Sequence, residues 1–173
     1  MATPIKEVWT KAAALVRDAG GRIVGRTKLQ KIGYLLELCG LGDGFHFEYR
    51  HYGPYSEELA EAIKIAGAFG LVAEEERQAD WGGFYSIYSS SVSSDHRTNP
   101  RVQFAKSAAQ IGAVELELAA TAAYLSAVEQ CADPWEETRK LKPEKATTKR
   151  LQAAQTAYRD LRKLPAPKPL PNI

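Results

Sequence analysis

The side chains able to do metal or covalent chemistry are few and poorly spaced for it. The histidines are His46, His51 and His96, and the cysteines are Cys39 and Cys131. His46 and His51 flank Glu48, but the chain has no Cys-x-x-Cys or His-x-x-x-His pair, the spacings that bring two ligands to one metal. No metal site is expected. A nucleophile is equally hard to find. G-x-S-x-G is absent, and neither cysteine sits in the electropositive, exposed setting that lowers a thiol pKa. Cys39 falls on an apolar helix face and Cys131 near a helix end, which reads as two reduced thiols. Gly20-Gly21 and Gly40-Leu41-Gly42 read as helix stops, not phosphate cradles. No catalytic residue and no cofactor is assigned, and an enzyme is not expected.

The chemistry that remains is binding. Tyr52 and Tyr55 stand beside charges of both signs, the composition in which interfaces concentrate their energy. A partner-binding surface is expected from Arg26, Lys28, Lys31, Tyr52, Tyr55, Ser56, Glu57 and Glu58.

The stretch from Gly25 to Val72 must position these residues. Thr27 followed by Gln30 predicts a capping box at a helix start. Leu29, Ile32, Leu36 and Cys39 recur at the spacing of a buried face, with Lys28 and Lys31 on the opposite side and Gly40 as the stop. Phe45, Phe47 and Tyr49 alternate with His46, Glu48 and Arg50, the period of a half-buried strand. Tyr52-Gly53-Pro54-Tyr55 is expected to turn the chain, and Ser56 to cap a second helix with Leu59, Ala62, Ile63 and Ala66 inside. Gly67 should permit close packing, and Gly70 should end the helix.

Before this stretch, Thr3-Pro4 open a first helix with Ile5, Val8, Trp9, Ala12, Leu15 and Val16 on its buried stripe. The link at residues 22–26 is short enough to predict only a turn, so the first two helices should pack together. After it, residues 71–90 read as a hairpin around Asp80-Trp81-Gly82-Gly83, with the acidic run Glu74-Glu75-Glu76 on one strand. A helix feeding a hairpin is the layout of a winged helix. The serine-rich residues 89–98 form a loop and a boundary. Beyond it the pattern is helical: Val102, Phe104 and Ala105, then a long run with Val114, Leu118, Thr121, Ala122 and Leu125 on one face. Asp133-Pro134 starts a short helix ended by Lys142-Pro143, and residues 144–163 form the last one.

The predicted fold class is α+β and mostly helical. Residues 1–92 form a winged-helix-like core with a small β-hairpin, and residues 99–164 a helical subdomain packed on it. Residues 165–173 are expected to be a loose proline-rich tail. A chain of 173 residues, 45% hydrophobic and 25% charged, allows one domain or one core with an appendage. No apolar run approaches the roughly 20 residues of a membrane span, and no signal-peptide core opens the chain, so a cytoplasmic protein is expected.

Charge is distributed unevenly. Residues 1–31 carry +5, residues 32–137 carry −11 and residues 138–173 carry +8. DNA binding draws most of its affinity from neutralised phosphates. The helix that would read a duplex contains Glu57, Glu58 and Glu61 against Lys64, and the wing carries three glutamates, so both would repel it.

The run Arg26-Thr27-Lys28-Leu29-Gln30-Lys31, then Tyr34-Leu35-Leu36, Phe47-Glu48-Tyr49 and Tyr52-Gly53-Pro54-Tyr55-Ser56-Glu57-Glu58-Leu59, resembles the YwgA-like family of uncharacterised bacterial proteins. The same K-L-Q-K helix, aromatic strand and Y-G-P turn is similar to the Panacea domain of SocA-like antitoxins. The resemblance implies a helical α+β domain that binds other proteins, with no enzyme activity and no cofactor. The leading expectation is a non-enzymatic protein–protein interaction module, an antitoxin-like or defence- or stress-system component whose partner is a toxin or defence-system subunit. The alternative is a nucleic-acid-binding transcriptional regulator working through the basic helices.

Overall fold

The structure is a computed structural model that describes residues 7–92 and 99–173. The expected Thr3-Pro4 helix start, Ile5 and His96 lie outside the described residues. Helix α1 (Val8–Asp18) buries Ala12, Leu15 and Val16, and stops before Gly20 at φ +108°. The following link is more than the expected turn. Ile23 and Val24 are β-prone, and Arg22–Val24 forms strand β1 with Ile23 buried.

Helix α2 (Arg26–Leu38) buries Leu29, Ile32 and Leu36 on one face, with Cys39 just beyond as C-cap. It has no capping box. The cap position is Gly25 at φ +103°, two residues before Thr27, which therefore lies inside the first turn, and Gln30 is committed elsewhere. Lys31 is not on a solvent side either, because α2 is buried from Leu29 through Leu36.

The aromatic segment after α2 is only partly a strand. Glu37 Oε1 accepts three successive N–H groups, from Asp43 (2.8 Å), Gly44 (2.8 Å) and Phe45 (3.0 Å). That cap holds a loop through Phe47, and strand β2 comprises only Glu48–Arg50. The chain reverses at His51-Tyr52, and Gly53–Tyr55 is not the turn but the return strand β3, with Tyr49 opposite Pro54. Phe47 and Tyr49 pack against the core as expected, Phe47 on Tyr34 and Tyr49 on Tyr124.

Helix α3 (Glu57–Ala68) starts as expected at Ser56, whose Oγ accepts from Leu59 N–H at 3.1 Å. Its stripe of Leu59, Ala62, Ile63 and Ala66 is buried. Helix α1 lies chiefly on α3, not on α2. The close approach expected at Gly67 occurs instead at Gly33 of α2. A Cβ there would sit 3.0 Å from Leu59 Cδ2, whereas at Gly67 the nearest atom is 3.8 Å away.

Strands β4 (Ala73–Gln78) and β5 (Phe84–Ser89) form the expected hairpin, and β1 adds to β5, giving an antiparallel sheet of order β1-β5-β4. Helix α4 (Pro100–Ala109) is capped by Asn99 and tied back by Arg101, which donates to Asp18 Oδ2 (2.7 Å), Leu41 O (2.9 Å) and Asp43 Oδ2 (2.9 Å).

Helix α5 (Ala113–Ala127) is the central post of the second half. It is buried all round from Leu116 to Leu125, so the single apolar face expected there is too narrow a reading. It packs on α2, on α6 (Pro134–Leu141) and on α7 (Thr148–Arg162). Helix α7 begins four residues later than expected, because Thr147 caps it by accepting from Arg150 N–H at 3.3 Å.

The proline-rich tail is docked, not loose. Leu170 is buried, Tyr158 Oη donates to Pro171 O at 2.7 Å, and Arg162 Nε donates to Leu170 O at 2.9 Å. One hydrophobic cluster runs from Ala12 through Phe104 and Leu116 to Leu170, so the two halves of the chain share a core.

Candidate binding site

The eight residues expected to form one partner surface separate into four places. Lys31 and Ser56 are inside, 1% and 0% exposed. Lys31 Nζ donates to Pro54 O at 2.6 Å, and Gln30 holds both backbone groups of Ser56. A lysine five residues past the start of α2 meets the hairpin because α5 closes over both; the helical period by itself could not reveal that lid. Lys28 is half-buried and donates to Ala109 O at 3.1 Å, beside a cleft between β1 and α4. Burial lowers its pKa. Tyr52 stands exposed on the opposite side of the hairpin, under the ammonium of Lys145 at 4.6 Å.

The remaining residues stay together. Arg26, Tyr55 and Glu57 line a 200 Å³ cleft between the start of α2, helix α3 and the β4–β5 hairpin, with Glu61, Glu74 and Tyr88 around a floor of Leu29 and Ile63. Arg26 pairs with Glu74 at 3.5 Å. Arg50 pairs with Glu57 at 2.6 Å and lies over the Tyr55 ring at 5.5 Å. Glu58 is exposed on α3 next to this cleft's Glu57 and Glu61.

The same face extends along the hairpin. Every residue of β4 is exposed, Glu74, Glu75 and Glu76 included. At its tip Trp81 is 79% exposed and Phe84 is 63% exposed. The tip is held by Ala79 N–H on Gly83 O at 2.7 Å and Gly82 N–H on Ala79 O at 2.9 Å. A side chain at Gly83 would run into the Trp81 ring, so this glycine lets the indole fold over the turn. Trp81 and Phe84 are absent from the residues singled out by sequence. Their signal is a tryptophan and a phenylalanine framing Gly82-Gly83, aromatics where a turn usually carries polar residues.

Among the described residues no group of three or more His, Cys, Asp or Glu could hold a metal, and no helix is long and apolar enough to cross a membrane. His46 and His51 are exposed, and Cys39 and Cys131 are unpaired, with burial pushing the Cys39 thiol up to about 11.

No family model matches the chain. It is similar to YwgA, an uncharacterised protein of Bacillus subtilis, at 34% identity over 65 residues. That segment is 38% of this chain and 38% of that protein, so the match spans well under half of the relative's length. No enzyme family is indicated by this relative.

Proposed function

We propose that the protein is a non-enzymatic protein-binding module whose contact face is α3 with the β4–β5 hairpin. The observation that carries this reading is the pair Trp81 and Phe84, exposed on a pinned hairpin tip beside a row of glutamates. Isolated exposed apolar residues are ordinary, but rigid aromatic anchors ringed by charge are what interface centres are made of. The glutamates of α3 and β4 specify a partner with a basic surface around an apolar recess, and would speed its encounter.

The order α1, β1, α2, α3, β4, β5 with a β1-β5-β4 sheet supports a winged-helix-like reading of the first half, with the β2–β3 hairpin inserted before α3. On this reading the surface that grips a duplex in other proteins is acidic here and turned to protein. The resemblance of the K-L-Q-K and Y-G-P-Y segments to Panacea adds the narrower proposal of an antitoxin-like role toward a toxin or a defence-system subunit. Arg26, Tyr55, Glu57 and Glu58 belong to the proposed contact.

A second reading, nucleic-acid binding, draws on Arg22, Lys28 and Lys106, which line one 630 Å³ cleft between β1 and α4. The experiment that separates the two compares the wild type with a Trp81→Ser/Phe84→Ser variant as bait in lysate of the native cell, beside a duplex-DNA titration at low and physiological salt. A basic protein captured by the wild type and lost by an equally stable variant is the expected result. Equal capture by both, or duplex binding that survives physiological salt, overturns it.

A further inference from the structure

At the β2–β3 hairpin, two lysines converge on one carboxylate, with a third lysine near them. Glu117 of the otherwise apolar α5 is 3% exposed. Its Oε1 accepts from Lys142 Nζ at 2.8 Å and Lys145 Nζ at 3.0 Å, and its Oε2 accepts from Lys145 Nζ at 2.9 Å. Lys142 Nζ, itself buried, also donates to His51 O at 3.2 Å. Lys31 stands behind them on Pro54 O and feels the charges of all three groups. Thr121, one turn along α5 from Glu117, is fully buried with its Oγ1 unpartnered.

One lysine–glutamate pair would suffice to fasten the β2–β3 hairpin to α5. Lys142 and Lys145 against Glu117 leave one positive charge in excess, and Lys31 adds to it when protonated, an arrangement unfavourable for folding alone. Burial lowers the Lys31 pKa to about 7, and even with Lys31 neutral one excess charge remains. The cluster opens to solvent through a 290 Å³ cavity lined by His51, Tyr52, Leu141, Lys142, Pro143 and Lys145, with Glu144 the one carboxylate in that lining. Lys145 lies over the Tyr52 ring, so the cavity has a cationic base and an aromatic wall.

We infer that this cavity binds a phosphoryl oxyanion, either inorganic phosphate or the phosphate of a small phosphomonoester, on Lys142 and Lys145 against Tyr52. An anion would offset the excess positive charge, and lysine ammonium groups bind phosphate as point charges with donors to spare. The cavity is at the small end of ligand sites, which run from roughly 300 Å³ upward. It shares no residue with the α3–hairpin face, so this inference stands or falls independently of the protein-binding reading.

Orthophosphate titrated into the full chain at constant ionic strength, balanced with chloride, tests it by the thermal midpoint and by phosphorus-31 line broadening. The wild type should show saturable broadening and a rising midpoint, with the folding equilibrium shifted about 100-fold when phosphate stands 100-fold above its Kd. Lys145→Met should abolish both, while Lys149→Met, exposed on α7 outside the cavity, should keep them. Line broadening is read below each variant's own melting temperature, so a less stable variant is still informative. Glycerol phosphate competing with orthophosphate would assign the monoester, and failure to compete would assign the free ion. Absence of saturation in the wild type, equal broadening in the wild type and both variants, or an equal effect of malonate overturns the proposal.

Discussion

Gln30 reaches across 26 positions of sequence to hold Ser56 by both of its backbone groups. Its Nε2 donates to Ser56 O at 3.0 Å, and its Oε1 accepts from Ser56 N–H at 2.8 Å, with both residues buried. The contact fastens the start of α3 to the middle of α2 and leaves Ser56 Oγ free to cap. Gln30→Ala would strand the buried Ser56 N–H, while Ser56 O keeps its helical bond from Ala60 N–H at 3.1 Å, so a loss of about 1–3 kcal/mol in urea melts is expected. Thr27→Ala, which would be costly in a capping box, should stay within about 0.5 kcal/mol. A reversal of these two sizes would restore the cap.

Two helix-interior glycines should respond with opposite signs. Gly33→Ala places a methyl 3.0 Å from Leu59 Cδ2 and 3.3 Å from the Phe47 ring, in a packed core. Overpacking of that kind costs about 1–3 kcal/mol. Gly67→Ala meets only Val72 O at 3.8 Å and should stabilise by up to about 1 kcal/mol through helix propensity. Thermal melts of both variants check the pair. Destabilisation by Gly67→Ala would put the close helix contact back where the sequence suggests it.

What was legible in the sequence was what neighbouring residues decide. Ser56, Asn99 and Asp133 cap helices because side-chain oxygen and backbone N–H lie within three residues of each other. The β4–β5 hairpin follows from two β-prone runs around Trp81-Gly82-Gly83. What was not legible depends on distant chain. Arg22–Val24 becomes a strand only because Ile87–Ser89 offers it an edge. Lys31 looks solvent-facing by helical period, and Pro54 O together with Glu117 of α5 makes its burial tolerable. Glu117 itself, a lone acid inside a run of apolar helix, was the visible trace of that network. Of the expected contact surface, Arg26, Tyr55 and Glu57 converge, while Tyr52 is carried to the other side by the reversal at His51-Tyr52.

The docked tail predicts a measurable loss when its anchor is cut back. Leu170 is 2% exposed in the main core cluster, and the chain around it is bonded to Tyr158, Arg162 and, through Lys168 N–H at 3.1 Å, to Cys39 O. Leu170→Ala should cost about 2–5 kcal/mol, the range for a buried leucine whose site relaxes only in part. Exposed Lys163→Ala serves as the neutral comparison. A melt indifferent to Leu170→Ala would return the tail to the loose state expected from its prolines.

The last prediction concerns pH and Lys31. Burial lowers its pKa to about 7; Glu117 opposes the shift, while Lys142 and Lys145 add to it. In the unfolded chain a lysine titrates near about 10.4. Between those values the unfolded state binds more protons than the folded one, so stability should rise with pH above about 7 and be flat below it, where both states are protonated. Lys28 adds the same sign, its pKa also lowered by burial. Cys39 acts oppositely at higher pH. Burial raises its thiol to about 11, so the unfolded chain loses that proton first, from roughly 8.5 upward, and stability falls there. The window from about pH 7 to about pH 8.5 therefore separates Lys31 from the thiol. A single proton difference is worth about 1.4 kcal/mol per pH unit, which sets a rise of at most about 2 kcal/mol from Lys31 across that window. Urea midpoints of the wild type should climb through it, and Lys31→Met should flatten most of the climb. A slope unchanged by Lys31→Met would mean that Lys31 stays protonated against Pro54 and Glu117.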